Sequence, residues 1–188
     1  MIEYIKEAKT LLQRKGDRDM ERDERLTRLY TRVYSKEGSV RCLKLLGSIS
    51  VIYVALAFLT ACALIGFRDG LIGIVRFITV SAIPFLVVSL MRLFLDFKRP
   101  YELIDFEPFE AMRKERKMGK SFPSRHVFSA FLIGALLIPV SVSLGILTLI
   151  VGSFIAIERV LLGIHFTKDV VVGAIIGALC GVIGTLFL

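Results

Sequence analysis

Long apolar segments separated by short polar breaks make up most of the chain. The apolar segments lie at about residues 44–67, 71–93, 124–141, 144–163 and 167–188. Each is close to the ~20 residues that an α-helix needs to cross the hydrocarbon core of a bilayer, and no charged residue occurs from Val127 to Ile157. The pattern therefore predicts an all-α, polytopic transmembrane helix bundle with about five spans.

Polar residues and helix breakers mark the ends of these segments. The breaks are the Arg68-Asp69-Gly70 turn, the charged segment 96–120, the stretch from Pro139 to Gly145 and the turn at His165. Such breaks predict that the chain leaves the membrane between consecutive helices.

The first 43 residues have a different pattern, with many charges of both signs between isolated apolar residues. Part of this segment is typical of an amphipathic helix on the membrane surface, and a solvated tail is the alternative. We therefore expect residues 1–43 to form an N-terminal charged, interfacial segment and residues 44–188 to form the transmembrane catalytic domain.

Composition supports a membrane protein and narrows its partners. Hydrophobic residues make up 55% of the chain, its mean hydropathy is +0.69 and its formal net charge is +8. The positive charges flank the apolar segments, so anionic lipid head groups are the expected partner and nucleic acid is not. Cys42, Cys62 and Cys180 have neither metal-binding nor disulfide spacing, and we expect them to be packing residues.

Three polar clusters lie at the ends of apolar segments. They are Arg92-x6-Arg99-Pro100, Pro123-Ser124-Arg125-His126 and Arg159-x5-His165-x3-Asp169. Guanidinium groups bind phosphoryl oxygens through paired hydrogen bonds, and both histidines of the chain lie in these clusters. The clusters predict a phosphate site at the membrane surface.

These residue types allow phosphoryl transfer through a covalent histidine. Asp169 lies one helical turn after His165, so its carboxylate is expected to hold the Nδ1–H of His165 while Nε2 attacks phosphorus. His126 is expected to protonate the leaving oxygen and then to activate the water that hydrolyses the phosphohistidine. This scheme requires no metal ion.

Cations and helix-terminal donors are expected to stabilise the phosphoryl group. Arg92, Arg99 and Arg159 would neutralise charge on its equatorial oxygens, and Lys98 would add a point charge. Ser124, at a predicted helix start, would donate together with nearby backbone N–H groups.

At these residues the chain resembles the type 2 phosphatidic acid phosphatase superfamily. The motifs of that family are K-x6-RP, PSGH and SR-x5-H-x3-D, and they match in order from Arg92 to Asp169. Three positions depart from the pattern, with Arg92 in place of lysine, Arg125 in place of glycine and Glu158 in place of serine. The first departure keeps the charge, whereas the other two are expected to change substrate access or phosphate affinity.

The resemblance implies a metal-independent phosphatase with no cofactor, for which vanadate mimics the pentacoordinate state. It implies that His165 is the nucleophile, Asp169 its partner and His126 the acid. It assigns phosphate binding to Arg92, Arg99, Ser124 and Arg159, to which we add the neighbouring Lys98 and Arg125. Members of the family commonly have six spans, and here the polar N-terminal segment takes the place of the first.

The expected activity is hydrolysis of a lipid phosphate monoester or diphosphate. Phosphatidate, phosphatidylglycerol phosphate and polyprenyl phosphates or diphosphates are all candidates, since a charge cluster beside the membrane favours a lipid-anchored substrate. Two other functions stay open. One is a non-catalytic lipid-phosphate-binding scaffold, which the Arg125 and Glu158 departures would allow, and the other is a phosphotransferase with an acceptor other than water. The oligomeric state is also open.

Two further segments carry structural predictions. The connector from Tyr101 to Ser121 is amphipathic and is expected either to form a lid over the site or to be a solvated link. Gly173, Gly177 and Gly181 follow a small-residue spacing that lets helices approach closely. We expect this stripe to pack against another span of the same chain rather than against a second subunit.

The charge distribution predicts an orientation in the membrane. The N-terminal segment, segment 96–120 and the His165 turn carry Lys and Arg and fall on one face, whereas the other face has Arg68 and short neutral turns. Lys and Arg concentrate on the cytoplasmic side of membrane proteins. The N-terminus and the active site are therefore expected to face the cytoplasm at the cell membrane.

Overall fold

The computed structural model describes residues 24–115 and 118–188, and the regular elements in these ranges are all helices. They are α1 (described over 24–34), α2 (Glu37–Phe94), α3 (Pro100–Leu103), α4 (Pro108–Glu115), α5 (Arg125–Leu137), α6 (Val142–Leu161), α7 (Thr167–Gly184) and a final 3-10 turn (Thr185–Phe187). The predicted all-α class is confirmed. The predicted boundary between residues 43 and 44 falls inside α2, and the division into two parts stays a prediction.

A glycine reverses the chain inside α2. Gly70 has φ 67° and ψ −159°, a left-handed conformation that glycine adopts without a Cβ clash. Phe58 and Phe77, on opposite sides of Gly70, have ring centroids 5.2 Å apart, so the two arms of α2 lie side by side. These arms contain the first two predicted apolar segments, and the predicted break at Arg68-Asp69-Gly70 is where they separate.

The short helix α5 lies at the centre of the bundle. It contacts α2, α6 and α7, and Phe128, Leu132 and Leu136 on it are almost fully buried. Its 13 residues span about 20 Å at ~1.5 Å per residue, less than a hydrocarbon core of ~30 Å. In contrast, α2, α6 and α7 are long and apolar enough to cross a membrane. The predicted span 124–141 is therefore a shorter helix that ends at Leu137.

Glycines on α7 allow it to lie directly against α5. A Cβ atom on Gly173 would come within 2.8 Å of the Ser124 carbonyl oxygen, and one on Gly181 within 2.7 Å of the Leu132 carbonyl oxygen. Larger side chains at these positions would push the helices apart. The stripe thus packs within the chain, as its spacing predicts.

Helix α1 packs against α4 and against the turn that follows α6. The Tyr30 side chain is 1% exposed, and its ring centroid lies 5.0 Å from that of Phe109. The Tyr34 hydroxyl donates to the Leu162 carbonyl oxygen at 3.2 Å. In the described residues, the predicted amphipathic segment is thus a helix with an apolar side that contacts protein, and residues 1–23 of that segment lie outside the described range.

The connector that was predicted as a lid or a solvated link is a folded structure where it is described. Arg113 in α4 donates to the carbonyl oxygens of Tyr101 and Ile104, both at 2.7 Å. Phe109 is fully buried, and the Tyr101 N–H donates to the Gly163 carbonyl oxygen at 3.3 Å. The connector therefore packs on the turn that precedes His165.

Candidate active site

A loop before α5 brings the second polar cluster next to the first. Arg92, 5% exposed near the end of α2, donates from Nη1 to the Pro123 carbonyl oxygen and from Nη2 to that of Lys120. A buried guanidinium keeps its charge and needs such acceptors. These bonds hold the loop that leads into α5.

Arg99 joins the same loop to the third polar cluster. Its Nε donates to the Gly119 carbonyl oxygen at 3.1 Å, and its Nη1 donates to that of Ile164 at 3.2 Å. The Glu102 carboxylate accepts the N–H of Gly119 at 2.7 Å and the N–H of Arg99 at 3.2 Å. The three clusters, which are far apart in sequence, are thereby fixed at one end of the bundle.

The three clusters enclose a cavity of about 190 Å³, which we call the arginine cavity. It is lined by Arg92, Arg99, Tyr101, Arg125, His126, Arg159, Ile164 and His165. Four guanidinium-bearing side chains and both histidines of the chain therefore face one space. Such a concentration of fixed positive charge suits a phosphoryl group.

His165 lies in the turn between α6 and α7, and Ser121 connects it to Asp169. The Ser121 hydroxyl donates to Asp169 Oδ2 at 2.5 Å, and its oxygen lies 3.3 Å from His165 Nδ1. The direct distance from His165 Nδ1 to Asp169 Oδ2 is 3.6 Å, which is longer than a good hydrogen bond. The Ser121 oxygen is therefore placed to accept the Nδ1–H, a tautomer that leaves the lone pair on Nε2.

Burial keeps His165 neutral. Its side chain is 3% exposed, and the loss of solvent lowers the pKa of His165 to about 4 against the opposing effect of Asp169. A neutral imidazole is the form that can act as a nucleophile. At pH 7 the ring is therefore in the reactive state.

The other histidine, His126, lies in the first turn of helix α5. Ser124 is the N-cap of this helix, and Arg125 and His126 are its first two residues. Both of these side chains are exposed, and both line the arginine cavity. His126 thus shares one cavity with His165, as an acid that protonates the leaving oxygen must do.

Glu158, which departs from the family motif, is buried beside a cavity arginine. Its Oε2 lies 3.2 Å from Arg159 Nε, and its side chain is 3% exposed. Gly47 in α2 provides the space, since a Cβ there would lie 2.5 Å from Glu158 Oε1. Glu158 therefore supplies an ionic partner for Arg159.

Two predicted phosphate-binding residues do not line the arginine cavity. Lys98 is exposed and lines a neighbouring cavity of about 390 Å³, which His165 also lines. Ser124 is fully buried, and its backbone N–H donates to the Asp169 carbonyl oxygen at 3.0 Å. The Ser124 hydroxyl has no hydrogen-bond partner among the described residues.

Besides the apolar lining residue Ile164, two residues of the site were not predicted from the sequence. One is Ser121, and the other is Tyr101, which lines the arginine cavity with its ring centroid 6.0 Å from Arg99 Cζ. Neither belongs to a motif, and their one signal is a position close to Arg99 or to Ser124 in sequence. Within the described ranges, no three His, Cys, Asp or Glu side chains form a group that could hold a metal ion.

A family model matches the part of the chain that contains the site. The model of the PAP2 superfamily matches residues 73–188, a range that contains every residue lining the arginine cavity. The chain belongs to the PAP2 superfamily. Arg125 and Glu158 therefore differ from the family motifs in a chain that belongs to the family.

Two solved structures are similar to this PAP2 chain. The first transmembrane PAP2 type phosphatidylglycerolphosphate phosphatase from Bacillus subtilis has a TM-score of 0.66 and 19% identity, over 89% of this chain and 85% of that one. LpxE of Aquifex aeolicus has a TM-score of 0.53 and 25% identity, over 74% of this chain and 85% of that one. No protein with a curated description is significantly similar in sequence. Together with the long apolar helices, the shared fold shows a membrane protein.

Proposed function

We propose that this PAP2 protein is a membrane phosphatase that hydrolyses a lipid phosphate monoester or diphosphate through a phosphohistidine intermediate. The arginine cavity carries the proposal, because it collects four guanidinium-bearing side chains and both histidines of the chain. The similar Bacillus subtilis protein is a phosphatidylglycerolphosphate phosphatase. Phosphatidate, phosphatidylglycerol phosphate and polyprenyl phosphates or diphosphates are the substrates to test.

In the first step, His165 Nε2 forms a bond to phosphorus and the bond from phosphorus to the leaving oxygen breaks. His126, which takes up a proton when the anionic substrate binds beside it, gives that proton to the leaving oxygen. Positive charge that develops on the His165 ring is offset by Asp169 through the Ser121 hydroxyl, at the distances given above. The cavity arginines stabilise the equatorial oxygens, which is the main contribution of a protein to phosphoryl transfer.

In the second step, water attacks the phosphorus of phosphohistidine and the bond from phosphorus to Nε2 breaks. His126, now neutral, accepts a proton from this water. Inorganic phosphate leaves, and neutral His165 is restored.

The proposed location of this reaction is the cytoplasmic face of the cell membrane. Helix α1 contacts the turn before His165 through Tyr34 and Leu162, so α1 and the site are at the same end of the bundle. Among the described residues, that end carries most of the Lys and Arg outside the spans, which supports a cytoplasmic orientation.

The activity is tested by phosphate release from a panel of these lipids in detergent with EDTA present. We expect turnover by the unaltered protein and a loss of at least about a thousandfold in His165→Ala, because the nucleophile is removed. Thr185→Ala is the control, since that hydroxyl lies at the other end of α7 and bonds to its own helix through the Val182 carbonyl oxygen. It should keep full activity.

Three results would contradict the proposal. If folded protein releases no phosphate from any lipid but binds lipid phosphates equally with and without His165→Ala, it is a binding protein. If the phosphate appears on an added alcohol rather than in solution, it is a phosphotransferase. If EDTA abolishes turnover and a divalent cation restores it, the histidine mechanism fails.

A further inference from the structure

A second cavity shares two lining residues with the arginine cavity at the start of α5. It has a volume of about 360 Å³, and we call it the lateral groove. It is lined by Val51, Val54, Ala55, Phe85, Arg125, His126, Ser129 and Ile155. Apart from the residues at the junction and Ser129, its walls are apolar side chains from both arms of α2 and from α6.

Arg125 and His126 are the two residues that line both cavities. A lipid that occupies both cavities can therefore lie in only one direction. The phosphoryl group belongs among the arginines, the hydrocarbon chain belongs in the apolar lateral groove, and the linking atoms must pass His126, the proposed acid. The guanidinium of Arg125 therefore lies beside the leaving group rather than beside the transferred phosphoryl group alone.

At this position Arg125 can bind a group of the substrate other than the transferred phosphoryl group. Among the described residues, no carboxylate forms an ion pair with Arg125, although its side chain is exposed at the mouth of an apolar groove. A guanidinium there is matched by an anionic group on the substrate. A simple monoester such as phosphatidate or a polyprenyl phosphate offers no anion next to the cleaved bond, whereas a lipid diphosphate offers its inner phosphate there.

We propose that Arg125 is a specificity-determining residue that selects lipid diphosphates over lipid monophosphates by binding the inner phosphate. The inference rests on the proposed phosphatase activity and names its substrate class. For a diphosphate, His165 Nε2 bonds to the outer phosphorus, and the bond from that phosphorus to the bridging oxygen breaks. The electron pair stays on the bridging oxygen, so the lipid monophosphate leaves with its charge stabilised by Arg125. Water then bonds to the phosphorus, the bond from phosphorus to Nε2 breaks, and inorganic phosphate leaves with the protons of that water.

The two junction residues should therefore serve different substrates. The leaving group of a monoester is an alkoxide, a strong base that must accept the proton of His126 as the bond to phosphorus breaks. The leaving group of a diphosphate is a phosphate, a much weaker base that depends less on that proton and more on the guanidinium. Arg125 and His126 are thus expected to have opposite effects on substrate preference.

The test compares farnesyl diphosphate with farnesyl phosphate, two substrates with the same hydrocarbon chain, in detergent with EDTA. We expect the unaltered protein to prefer the diphosphate, and Arg125→Gly to lower the diphosphate-to-monophosphate ratio of kcat/KM by about tenfold or more. Arg125→Lys keeps the charge but not the paired donors, and its ratio should lie between those two. Arg76→Ala removes an exposed cation close to the Gly70 reversal, far along the second arm of α2 from Arg92, and should leave the ratio unchanged. His126→Ala should raise the ratio.

The possible failures are distinguishable. If Arg125→Gly lowers kcat/KM for both substrates by the same factor, or if the unaltered protein prefers the monophosphate, the inference on Arg125 is overturned while the phosphatase stands. If the unaltered protein hydrolyses neither substrate and no other lipid phosphate, the proposed function fails and the inference fails with it.

Discussion

The Ser121 hydroxyl sets the geometry between His165 and Asp169. It lies 2.5 Å from Asp169 Oδ2 and 3.3 Å from His165 Nδ1. Without it, the carboxylate is 3.6 Å from the ring nitrogen and retains its bond to the Phe166 N–H at 3.1 Å. Ser121 therefore acts through His165 and is a positioning residue.

We expect Ser121→Ala to lower kcat by roughly tenfold to a hundredfold with little change in KM, because the ring is less well oriented for attack. Steady-state kinetics with the best lipid substrate would measure this. Ser121→Thr keeps a hydroxyl and should recover much of the loss. Ser153→Ala removes a hydroxyl that bonds to the Leu149 carbonyl oxygen of its own helix, and should match the unaltered protein. An unchanged kcat in Ser121→Ala would mean that Asp169 acts on His165 directly.

At the scale of single residues, charge and spacing predicted which groups would meet but not how they connect. The cavity contains Arg92, Arg99 and Arg159 as predicted. The prediction was possible because guanidinium groups bind phosphoryl oxygens and the clusters that hold them also hold both histidines. Ser121 was not predictable, since serine is common and its contact depends on a loop held by hydrogen bonds to backbone carbonyl groups. Lys98 does not line the arginine cavity, although it is next to Arg99 in sequence. Adjacency in sequence does not fix the direction of a side chain.

At the scale of helices, the contact between α5 and α7 depends on glycines that touch backbone. A Cβ on Gly177 would lie 3.2 Å from the Leu132 backbone nitrogen and closer still to the Phe128 carbonyl oxygen. Helix backbone cannot move aside as a flexible side chain can. Position 177 therefore does not tolerate even one added carbon without a shift of the two helices.

We expect Gly177→Ala to destabilise the protein by about 1–3 kcal/mol, as overpacking of a close contact does. Thermal unfolding in detergent would show a lower Tm. Gly38→Ala is the matched control, because a Cβ there meets nothing within 4 Å, and its Tm should stay the same or rise. Equal Tm values for the two variants would show that the α5–α7 contact is looser than described.

The helices themselves were largely predictable, and the exceptions have physical reasons. The reversal at Gly70 follows from a polar break with a glycine, and the two arms of α2 agree with the predicted segments. The length of α5 did not follow from hydropathy, because an apolar segment can be a span or a short helix enclosed by protein. The helix ends at Leu137, and Pro139, which has no N–H to donate to a helical hydrogen bond, follows one residue after its C-cap Ile138. For α1, an amphipathic pattern cannot tell whether lipid or protein covers the apolar face, and Tyr30 contacts protein.

At the scale of the whole molecule, the two ends of the bundle differ in charge. The end with α1 and the arginine cavity carries cations that have no part in the proposed chemistry, such as Lys36 and Lys114. The opposite end has Arg68, which is paired with Asp69 at 2.8 Å. Since the arginines of the arginine cavity alone do not produce this asymmetry, the charge distribution is an argument for orientation that is independent of the site.

We expect a membrane-impermeant maleimide to distinguish the two ends. In a variant with Cys42, Cys62 and Cys180 replaced by alanine, Arg68→Cys should react in intact cells, and Lys36→Cys should react only after the membrane is permeabilised. Both positions are exposed in the structure, and both cysteines should react in denatured protein, which controls for reactivity. Retained phosphatase activity in each variant would show that the fold is intact. Labelling of Lys36→Cys in intact cells would place the site on the outer face, where the phosphoryl group of a substrate made in the cytoplasm arrives only after the lipid has crossed the bilayer.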